Sequence, residues 1–367
     1  MNWRLLFKRG MLGTFAGGSS YVVGAGIYGT KQINGTRQSW FSDDFVMTPE
    51  TLRMPYKSVN FHTSDGIKLD GWFVEQTNRG RPSQKLILCC NPYNQDKSTL
   101  LGICRGFWDA GYSVLLFNYR SHAKPPQPRT IGYKEVIDAK AALTWLLENK
   151  PKDGKIGLVG ASMGGAVALR LCAEVDSNSF DISKFTSDKR EACSGSSEKI
   201  VVKDKAVPED RKNENIIVAC ATDCAFSSLK RVLGASIDNN FPTRGFLFSQ
   251  NGFLPLHSLM LESVCFINKF WYGYDPSQVG PESKLADLKT PLFILHSEND
   301  TVVPVESARI IYEKSGTNVK DKEIKIIPNT EHIGAYFDDE KYYIRSIVNF
   351  LDSRFEQVQR KLGKVGE

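Results

Sequence analysis

The segment from Lys155 to Glu174, KIGLVGASMGGAVALRLCAE, constrains the fold of this chain more than any other. Its first part is a run of apolar residues typical of a buried strand, and its second part has the apolar spacing of a helix. Only about five residues separate the two, whereas a strand and a helix are normally joined by a polar loop. Gly160 and Gly164 permit so sharp a turn, because they carry no side chain that could clash. The segment therefore predicts a strand that passes directly into a helix through an exposed Ser162.

Apolar strand segments alternate with helical segments along most of the chain. The predicted strands are KLILCC, YSVLLFNY, KIGLVGA, NIIVACA, PLFILHS and KEIKIIPN, and the predicted helices lie near residues 98–110, 133–149, 164–174, 305–314 and 341–358. Before them, alternating apolar residues on both sides of Asp65-Gly66 predict a β-hairpin with a tight turn. Apolar strands separated by helices are typical of a mostly parallel sheet that helices cover on both faces. The expected fold class is therefore α/β.

Two stretches interrupt this alternation within the domain that we place at residues 50–360. Residues 176–215 are rich in Ser, Lys, Asp and Glu, and they predict a polar insertion at the surface. Residues 241–274 are instead dense in Phe and Leu, which is too apolar for a plain loop. Because this stretch lies between two strands, we expect a cap of short helices over one end of the sheet. The alternative is that its apolar side chains simply pack on the sheet.

The beginning of the chain predicts a membrane segment. Residues 11–30, MLGTFAGGSSYVVGAGIYGT, carry no charge, and they follow Arg4, Lys8 and Arg9. A stretch of about twenty uncharged residues can cross the hydrocarbon core of a bilayer as a helix. Basic residues before such a helix favour a cytoplasmic N-terminus. We therefore expect residues 1–40 to hold a single-pass membrane anchor. The alternatives are a signal peptide that is cleaved from a secreted protein and a soluble tail.

Charge and cysteine content argue against several other classes of protein. The 367 residues include 47 basic and 41 acidic side chains, and no dense basic patch with interleaved aromatic residues is present. We therefore expect no nucleic-acid partner. Most of the eight cysteines lie inside apolar runs, where cysteine behaves as a small core residue. No CxxC pair indicates a zinc site, and no metal or cofactor is expected.

Ser162 is the candidate nucleophile. The residues from Gly160 to Gly164 fit the pattern G-x-S-x-G between a strand and a helix. A serine in such a turn is lifted above the carboxyl edge of the sheet. It also stands at a helix N-terminus, where free N–H groups and the helix dipole favour a developing anion. This arrangement predicts nucleophilic attack on a carbonyl carbon.

A serine nucleophile needs a base, and the base needs an acid that orients it. Only His332 among the five histidines follows the last predicted strand and precedes the final helix. His296 lies inside a strand and is expected to be structural. His62 lies in the predicted hairpin, far from the carboxyl edge of the sheet, whereas His122 and His257 are weaker candidates for the base. Asp300 follows the strand PLFILHS and should reach the same edge of the sheet, with Glu298 as the competing acid.

The order of Ser162, Asp300 and His332 resembles that of the α/β-hydrolase family. The Asp-x-x-Val-Pro stretch that begins at Asp300 and the His332 loop before a last helix are also typical of that family, and the resemblance covers residues 58–355. Within the family, the chain looks most like the branch with an N-terminal membrane segment and a short helical cap. That branch includes serine esterases, acyl-protein thioesterases and peptidase-like members. The resemblance implies an acyl-enzyme mechanism that uses these three residues as a catalytic triad.

The resemblance also implies that the backbone N–H groups of Met163 and Tyr93 bind the oxyanion. The loop that carries Tyr93 departs from the family pattern, because Asn91-Pro92 stands where His-Gly is usual. Proline has no N–H group and a fixed φ angle, so this loop cannot adopt every conformation open to glycine. Either the oxyanion hole is built differently, with help from Asn94, or the activity is reduced.

The sequence thus predicts a serine hydrolase for carboxylic ester or thioester bonds, and the apolar cap predicts a hydrophobic or lipid-like substrate. Two alternatives stay open. One is an aminopeptidase-like hydrolase, which would need an acidic group that binds a free amine. The other is a binding protein with a catalytically weak hydrolase fold. This second alternative draws on Asn91-Pro92 and on the loop NYRSHAK, which lacks two glycines usual in the family but keeps Arg120 as an expected brace.

Overall fold

The computed structural model describes residues 47–182, 216–240 and 256–363, together with Ile27, Thr30, Lys31 and Asn34. The strands are β1 Tyr56–His62, β2 Lys68–Val74, β3 Thr77–Asn78, β4 Arg81–Pro82, β5 Lys85–Cys90, β6 Ser113–Phe117, β7 Lys155–Ala161, β8 Ile217–Asp223, β9 Leu292–Ser297 and β10 Lys322–Ile327. The α-helices are α1 Leu101–Asp109, α2 Glu135–Asn149, α3 Met163–Asp176, α4 Leu229–Asn240, α5 Leu256–Trp271, α6 Glu306–Lys314, α7 Ala335–Asp338 and α8 Glu340–Gly363. Short 3-10 helices lie at Pro49–Leu52, Arg120–His122, Pro276–Gln278, Glu282–Asp287 and Val319–Asp321.

Eight of the described strands form one sheet, in the order β1-β2-β6-β5-β7-β8-β9-β10. All neighbouring strands from β6 to β10 are parallel. At the other end, β1 and β2 form the predicted antiparallel hairpin, and β2 pairs antiparallel with β6. The expected α/β fold with a mostly parallel sheet is therefore confirmed.

Apolar side chains cover both faces of the sheet, which is why the central strands show no alternation of polar and apolar residues. In β5, Leu86 and Leu88 point toward α2 and α3, whereas Ile87 and Cys89 point toward α1 and α8. Burying each Leu or Ile side chain stabilises the fold by about 1.5–3 kcal/mol. The neighbouring Cys89 and Cys90 lie on opposite faces, and all seven cysteines among the described residues are buried and free.

The predicted single-pass membrane location is wrong for the part of the chain that the structure describes. No helix among those residues is both long enough and apolar enough to cross a bilayer. Of residues 11–30, only Ile27 and Thr30 are described, and the others lie outside the described residues. Thr30 is helical and fully buried, and its Oγ1 accepts a hydrogen bond from Asn268 Nδ2 at 3.3 Å. The end of the predicted anchor thus contacts a polar side chain of α5 within the same protein.

The two predicted interruptions are described only in part. Of the polar insertion at residues 176–215, the structure describes residues 176–182. Of the apolar cap at residues 241–274, it describes residues 256–274, which include helix α5. This helix packs against α4, where His257 Nε2 lies 3.2 Å from the carbonyl oxygen of Gly234. The domain division therefore stays a prediction.

Candidate active site

Ser162 occupies a strained turn between β7 and α3. Its φ angle is +52° and its ψ angle −119°, in a region that side-chain-bearing residues rarely adopt. Backbone from two sides crowds this turn. A Cβ atom on Gly160 would collide with the backbone of Gly164, and a Cβ atom on Gly164 would collide with the carbonyl oxygen of Cys90. The Ser162 N–H donates to the Asp223 carbonyl oxygen at 2.8 Å, which ties the turn to β8.

The structure brings Ser162, His332 and Asp300 together at the carboxyl edge of the sheet. Ser162 follows β7, Asp300 follows β9, and His332 lies between β10 and α7. His332 Nε2 is 2.9 Å from Ser162 Oγ, and His332 Nδ1 is 2.6 Å from Asp300 Oδ2. Because an ionised carboxylate can only accept, the hydrogen lies on Nδ1, and Nε2 is free to accept from the serine hydroxyl. The arrangement can remove a proton from Ser162 and stabilise the imidazolium that results.

Hydrogen bonds hold the carboxylate of Asp300 in place from several sides. Its Oδ1 accepts from the N–H groups of Val302 at 2.9 Å and Val303 at 2.8 Å. Its Oδ2 faces His332 and also lies 3.4 Å from His296 Nε2. Burial favours the neutral acid, but the hydrogen bonds from both histidines and from Val303 outweigh it and hold the pKa of Asp300 below its ordinary value. The competing acid, Glu298, is exposed.

The other histidines lie elsewhere or serve the acid. His296, which the sequence predicted to be structural, is fully buried and lies 3.0 Å from the Val303 carbonyl oxygen through Nε2. Of the three candidates for the base, the structure brings His332 to hydrogen-bonding distance of Ser162. The other histidines lie in β1, in the 3-10 helix after β6 and in α5, and they are His62, His122 and His257.

The loop after β5, which carries the predicted second oxyanion donor, packs directly on the serine turn. A Cβ atom on Gly164 would collide with the carbonyl oxygens of both Cys90 and Asn91, which lie within 2.5 Å of its position. Asn91 is fully buried, and its Nδ2 donates to the Phe117 carbonyl oxygen at 2.6 Å, which ties this loop to the end of β6. Met163 is the first residue of α3 and is buried. The assignment of the Met163 and Tyr93 amides to the oxyanion stays a prediction.

Arg120 braces the neighbouring loop, as its retention in the sequence indicated. Arg120 is 2% exposed, so its buried guanidinium group needs hydrogen-bond partners. Its Nη2 lies 2.7 Å from Asp138 Oδ1 in α2, and its Nη1 lies 2.7 Å from Asp65 Oδ2 in the β1–β2 turn. The loop after β6 is therefore fixed to a helix and to the hairpin without the two glycines that are absent from it.

Sequence reasoning missed Asp223 at the end of β8. The side chain is buried at 2% exposure, and neither carboxylate oxygen has a hydrogen-bond partner among the described residues. Burial raises the pKa of Asp223 to about 6, although the Cys224 thiol, His296, the Tyr343 hydroxyl and His332 oppose that shift. An acidic residue that ends an otherwise apolar strand at the site edge was the available signal.

One group of side chains near the site has metal-ligand chemistry but does not fit a metal ion. The potential ligand atoms of Cys224, His296 and Asp300 lie within 4.8 Å of one another. Burial raises the pKa of the Cys224 thiol, so the thiolate that a metal needs is disfavoured. Asp300 already accepts from two backbone N–H groups and from His332. These residues are committed to one another.

Comparison with known proteins gives the class of this protein. The alpha/beta hydrolase family is matched over residues 98–343. The fold described above agrees with that match, and the chain belongs to the alpha/beta hydrolase family. This match does not extend to the branch with an N-terminal membrane segment, because it begins well after residue 40.

Individual relatives match different shares of the chain. An uncharacterised protein of Mycobacterium tuberculosis is 34% identical over 120 residues, which are 32% of this chain and only 41% of that relative. Protein bem46 of Schizosaccharomyces pombe is 24% identical over 84% of this chain and 81% of its own length. The structure of an esterase from Pyrococcus furiosus superposes with a TM-score of 0.56 and 21% identity, over 84% of this chain and 96% of that chain. At that identity the likeness shows the fold.

Proposed function

We propose that this protein is a serine hydrolase that cleaves carboxylic ester or thioester bonds through an acyl-enzyme intermediate. The observation that supports this proposal most strongly is the position of His332. Its two ring nitrogens lie 2.9 Å from Ser162 Oγ and 2.6 Å from Asp300 Oδ2. A nucleophile, a base and an orienting acid within hydrogen-bonding distance are what acyl transfer by serine requires.

In the first half of the reaction, Ser162 Oγ forms a bond to the carbonyl carbon while its proton moves to His332 Nε2. The negative charge that develops on the carbonyl oxygen is stabilised by the N–H groups of Met163 and Tyr93. His332 then gives the proton to the departing alcohol or thiol, and the acyl group stays on Ser162. Because its pKa is held low, Asp300 remains ionised and stabilises the imidazolium.

In the second half, water attacks the acyl-enzyme. His332 Nε2 takes a proton from the water as the new carbon–oxygen bond forms. It returns that proton to Ser162 Oγ when the acid product leaves, so the resting state is restored. The side chain of His332 is 16% exposed, whereas that of Asp300 is fully buried. The base can therefore meet water while the acid is kept away from it.

The interior of the protein beside Met163 is apolar. A Cβ atom on Gly132 would be 3.6–3.9 Å from side-chain carbons of Val167, Met163 and Phe226. The rings of Tyr133 and Tyr274 stack nearby with centroids 5.4 Å apart. Val167, Met163 and Phe226 are buried and belong to the core, so the hydrophobic substrate is proposed from the density of Phe and Leu over residues 241–274.

The proposal is tested by hydrolysis of para-nitrophenyl esters with acyl chains of increasing length. The wild-type protein should release nitrophenol, and Ser162→Ala should lower the rate by about 10⁴-fold or more, because triad members act as a unit. An aminoacyl nitroanilide, measured in parallel, tests the aminopeptidase alternative. Equal rates for the wild type and Ser162→Ala would contradict the proposal, and absence of any ester hydrolysis by the wild type would favour the binding-protein alternative.

A further inference from the structure

Arg129 lies in the loop between the 3-10 helix Arg120–His122 and α2, and it has no acidic partner among the described residues. Its guanidinium carbon lies 5.2 Å from the centre of the Tyr93 ring. Its Nε is buried and makes no hydrogen bond to any described residue. The residue as a whole is only partly exposed. A cation is thus held against an aromatic face while its Nε–H donor is unused by any described residue.

Glu135, the acidic first residue of α2 at the end of this loop, already accepts hydrogen bonds from the loop. Glu135 accepts hydrogen bonds from the N–H of Thr130 at 2.9 Å, from the Thr130 hydroxyl at 2.6 Å and from the N–H of Gly132 at 2.8 Å. These three bonds satisfy both carboxylate oxygens and shape the loop. The fold therefore uses its buried carboxylate to hold the backbone and leaves the charge of Arg129 for another partner.

The position of Arg129 connects this charge with the reaction centre. Its guanidinium group covers Tyr93, which carries the second proposed oxyanion donor. Three residues further along the same loop, a Cβ atom on Gly132 would be 3.9 Å from Met163 Cγ, and Met163 carries the first donor. The loop of Arg129 therefore lies beside both residues that we assign to the oxyanion hole.

We propose that Arg129 binds a negatively charged group, a carboxylate or a phosphate, of the ester substrate. Partial burial of a guanidinium group is unfavourable unless hydrogen bonds or an opposite charge compensate it, and stacking on a single ring compensates only part of the cost. The planar fork of arginine matches the two oxygens of a carboxylate or phosphate. The inference rests on the proposed function, and it makes the preferred substrate an ester with both an apolar part and a negative charge.

The test compares charged and neutral esters of similar size. One pair places the charge on the acyl side: para-nitrophenyl hemiglutarate and its neutral methyl ester. A second pair places it on the alcohol side: para-carboxyphenyl hexanoate and its neutral methyl ester. A para-nitrophenyl phosphonobutanoate distinguishes phosphate-type from carboxylate-type groups. The value of kcat/KM is measured for each ester.

Three variants separate charge recognition from structural support. Arg129→Gln should lower kcat/KM for at least one charged ester by about 10- to 100-fold and change its neutral partner by no more than about twofold. Arg129→Lys keeps the charge but loses the planar fork of the guanidinium group, so it should lower kcat/KM for that charged ester less than Arg129→Gln does. Arg105→Gln is the matched control, because Arg105 also lies over an aromatic ring, Trp108 at 5.5 Å, but pairs with Asp109. It should leave both pairs unchanged.

Two results would overturn the inference. If Arg129→Gln lowers kcat/KM equally for charged and neutral esters, Arg129 only supports Tyr93. If the wild type cleaves the neutral esters and Arg129→Gln lowers kcat/KM selectively for none of the charged esters, the charge of Arg129 has no role in binding. The proposed function fails separately, since in that case the wild type would cleave neither the charged nor the neutral esters.

Discussion

At the scale of single residues, the choice between two neighbouring carboxylates follows from their surroundings. Asp300 is buried beside His332, whereas Glu298 is exposed. Asp300→Asn should lower kcat/KM by about 10³- to 10⁴-fold, because an amide favours the wrong imidazole tautomer and cannot stabilise the imidazolium. Glu298→Gln should change it by no more than about twofold, since an exposed surface charge contributes little. Ester hydrolysis with a circular-dichroism check of folding measures both, and the reverse ranking would identify Glu298 as the acid.

Asp223 is predicted to cost stability at neutral pH. The ordinary pKa of an aspartic acid is 3.8, and the pKa of Asp223 in the folded protein is about 6. Between these two pH values the folded protein therefore holds a proton that the unfolded chain has released. Stability therefore falls as pH rises through this window and stays lower above it, by about 3 kcal/mol. Asp223→Asn should raise the free energy of unfolding by up to that amount at about pH 7 and by little below about pH 4.

Urea unfolding at several pH values measures this difference. The control is Asp153→Asn, which alters an exposed carboxyl group and should give no such dependence on pH. A wild type that is as stable as Asp223→Asn at neutral pH would show that Asp223 is better compensated than its surroundings indicate. Groups that could compensate it are Cys224, His296, His332 and Tyr343.

At the scale of elements, the loop after β5 and the apolar region near α5 should affect the reaction differently. Pro92 fixes the backbone beside Tyr93, so Pro92→Gly should change kcat by a similar factor for every acyl chain length. Burial of each further CH₂ group of the substrate gains about 0.8 kcal/mol, so kcat/KM should rise by about fourfold per methylene until the pocket is full. Steady-state rates with acetyl to dodecanoyl esters measure both effects.

The two effects can be told apart. If acetyl esters are cleaved as well as octanoyl esters, the apolar residues near the site are only structural. If Pro92→Gly shifts the preferred chain length, the loop after β5 also shapes the acyl pocket, and the separation is wrong.

Several elements were predictable because their patterns are local. The strand and helix around Ser162 and the hairpin at Asp65-Gly66 follow from apolar spacing and glycine positions, and the structure places them where the sequence indicated. Asp223 was not predictable as an unpaired buried acid, because its environment is built by β7, β9 and α8, which are distant in sequence. The charge of Arg129, unpaired among the described residues, was hidden for another reason, because the sequence does not show that the nearby Glu135 is used by the loop backbone.

At the scale of the whole molecule, residues near the beginning of the chain pack on its C-terminal half. Asn34 donates to Asn268 Oδ1 at 2.6 Å and accepts from the Tyr274 hydroxyl at 2.6 Å, and all three side chains are buried. Absence of charge over residues 11–30 suggested a lipid-facing helix, but hydropathy cannot show that Thr30 meets a polar partner about 240 residues later. This long-range contact is what sequence reasoning could not supply.

Removing one member of this buried network should destabilise the protein. Asn34→Ala leaves Asn268 and the Tyr274 hydroxyl without their partner, so the free energy of unfolding should fall by about 1–3 kcal/mol. The double variant Asn34→Ala/Asn268→Ala should lose less unfolding free energy than the sum of the losses in the two single variants, because the two side chains interact directly. Urea unfolding measures each value, and Asn149→Ala in an exposed position of α2 is the control. An unchanged stability for Asn34→Ala would show that this contact is absent in solution.

The central claim is that Ser162 is a nucleophile activated by His332. Incubation with a fluorophosphonate, followed by mass spectrometry of the intact protein and of its peptides, tests it most directly. We expect one adduct per wild-type molecule on the peptide that contains Ser162, much slower labelling of His332→Ala, and none of Ser162→Ala. A wild type that is not labelled, or a Ser162→Ala variant that is labelled as fast as the wild type, would contradict the account.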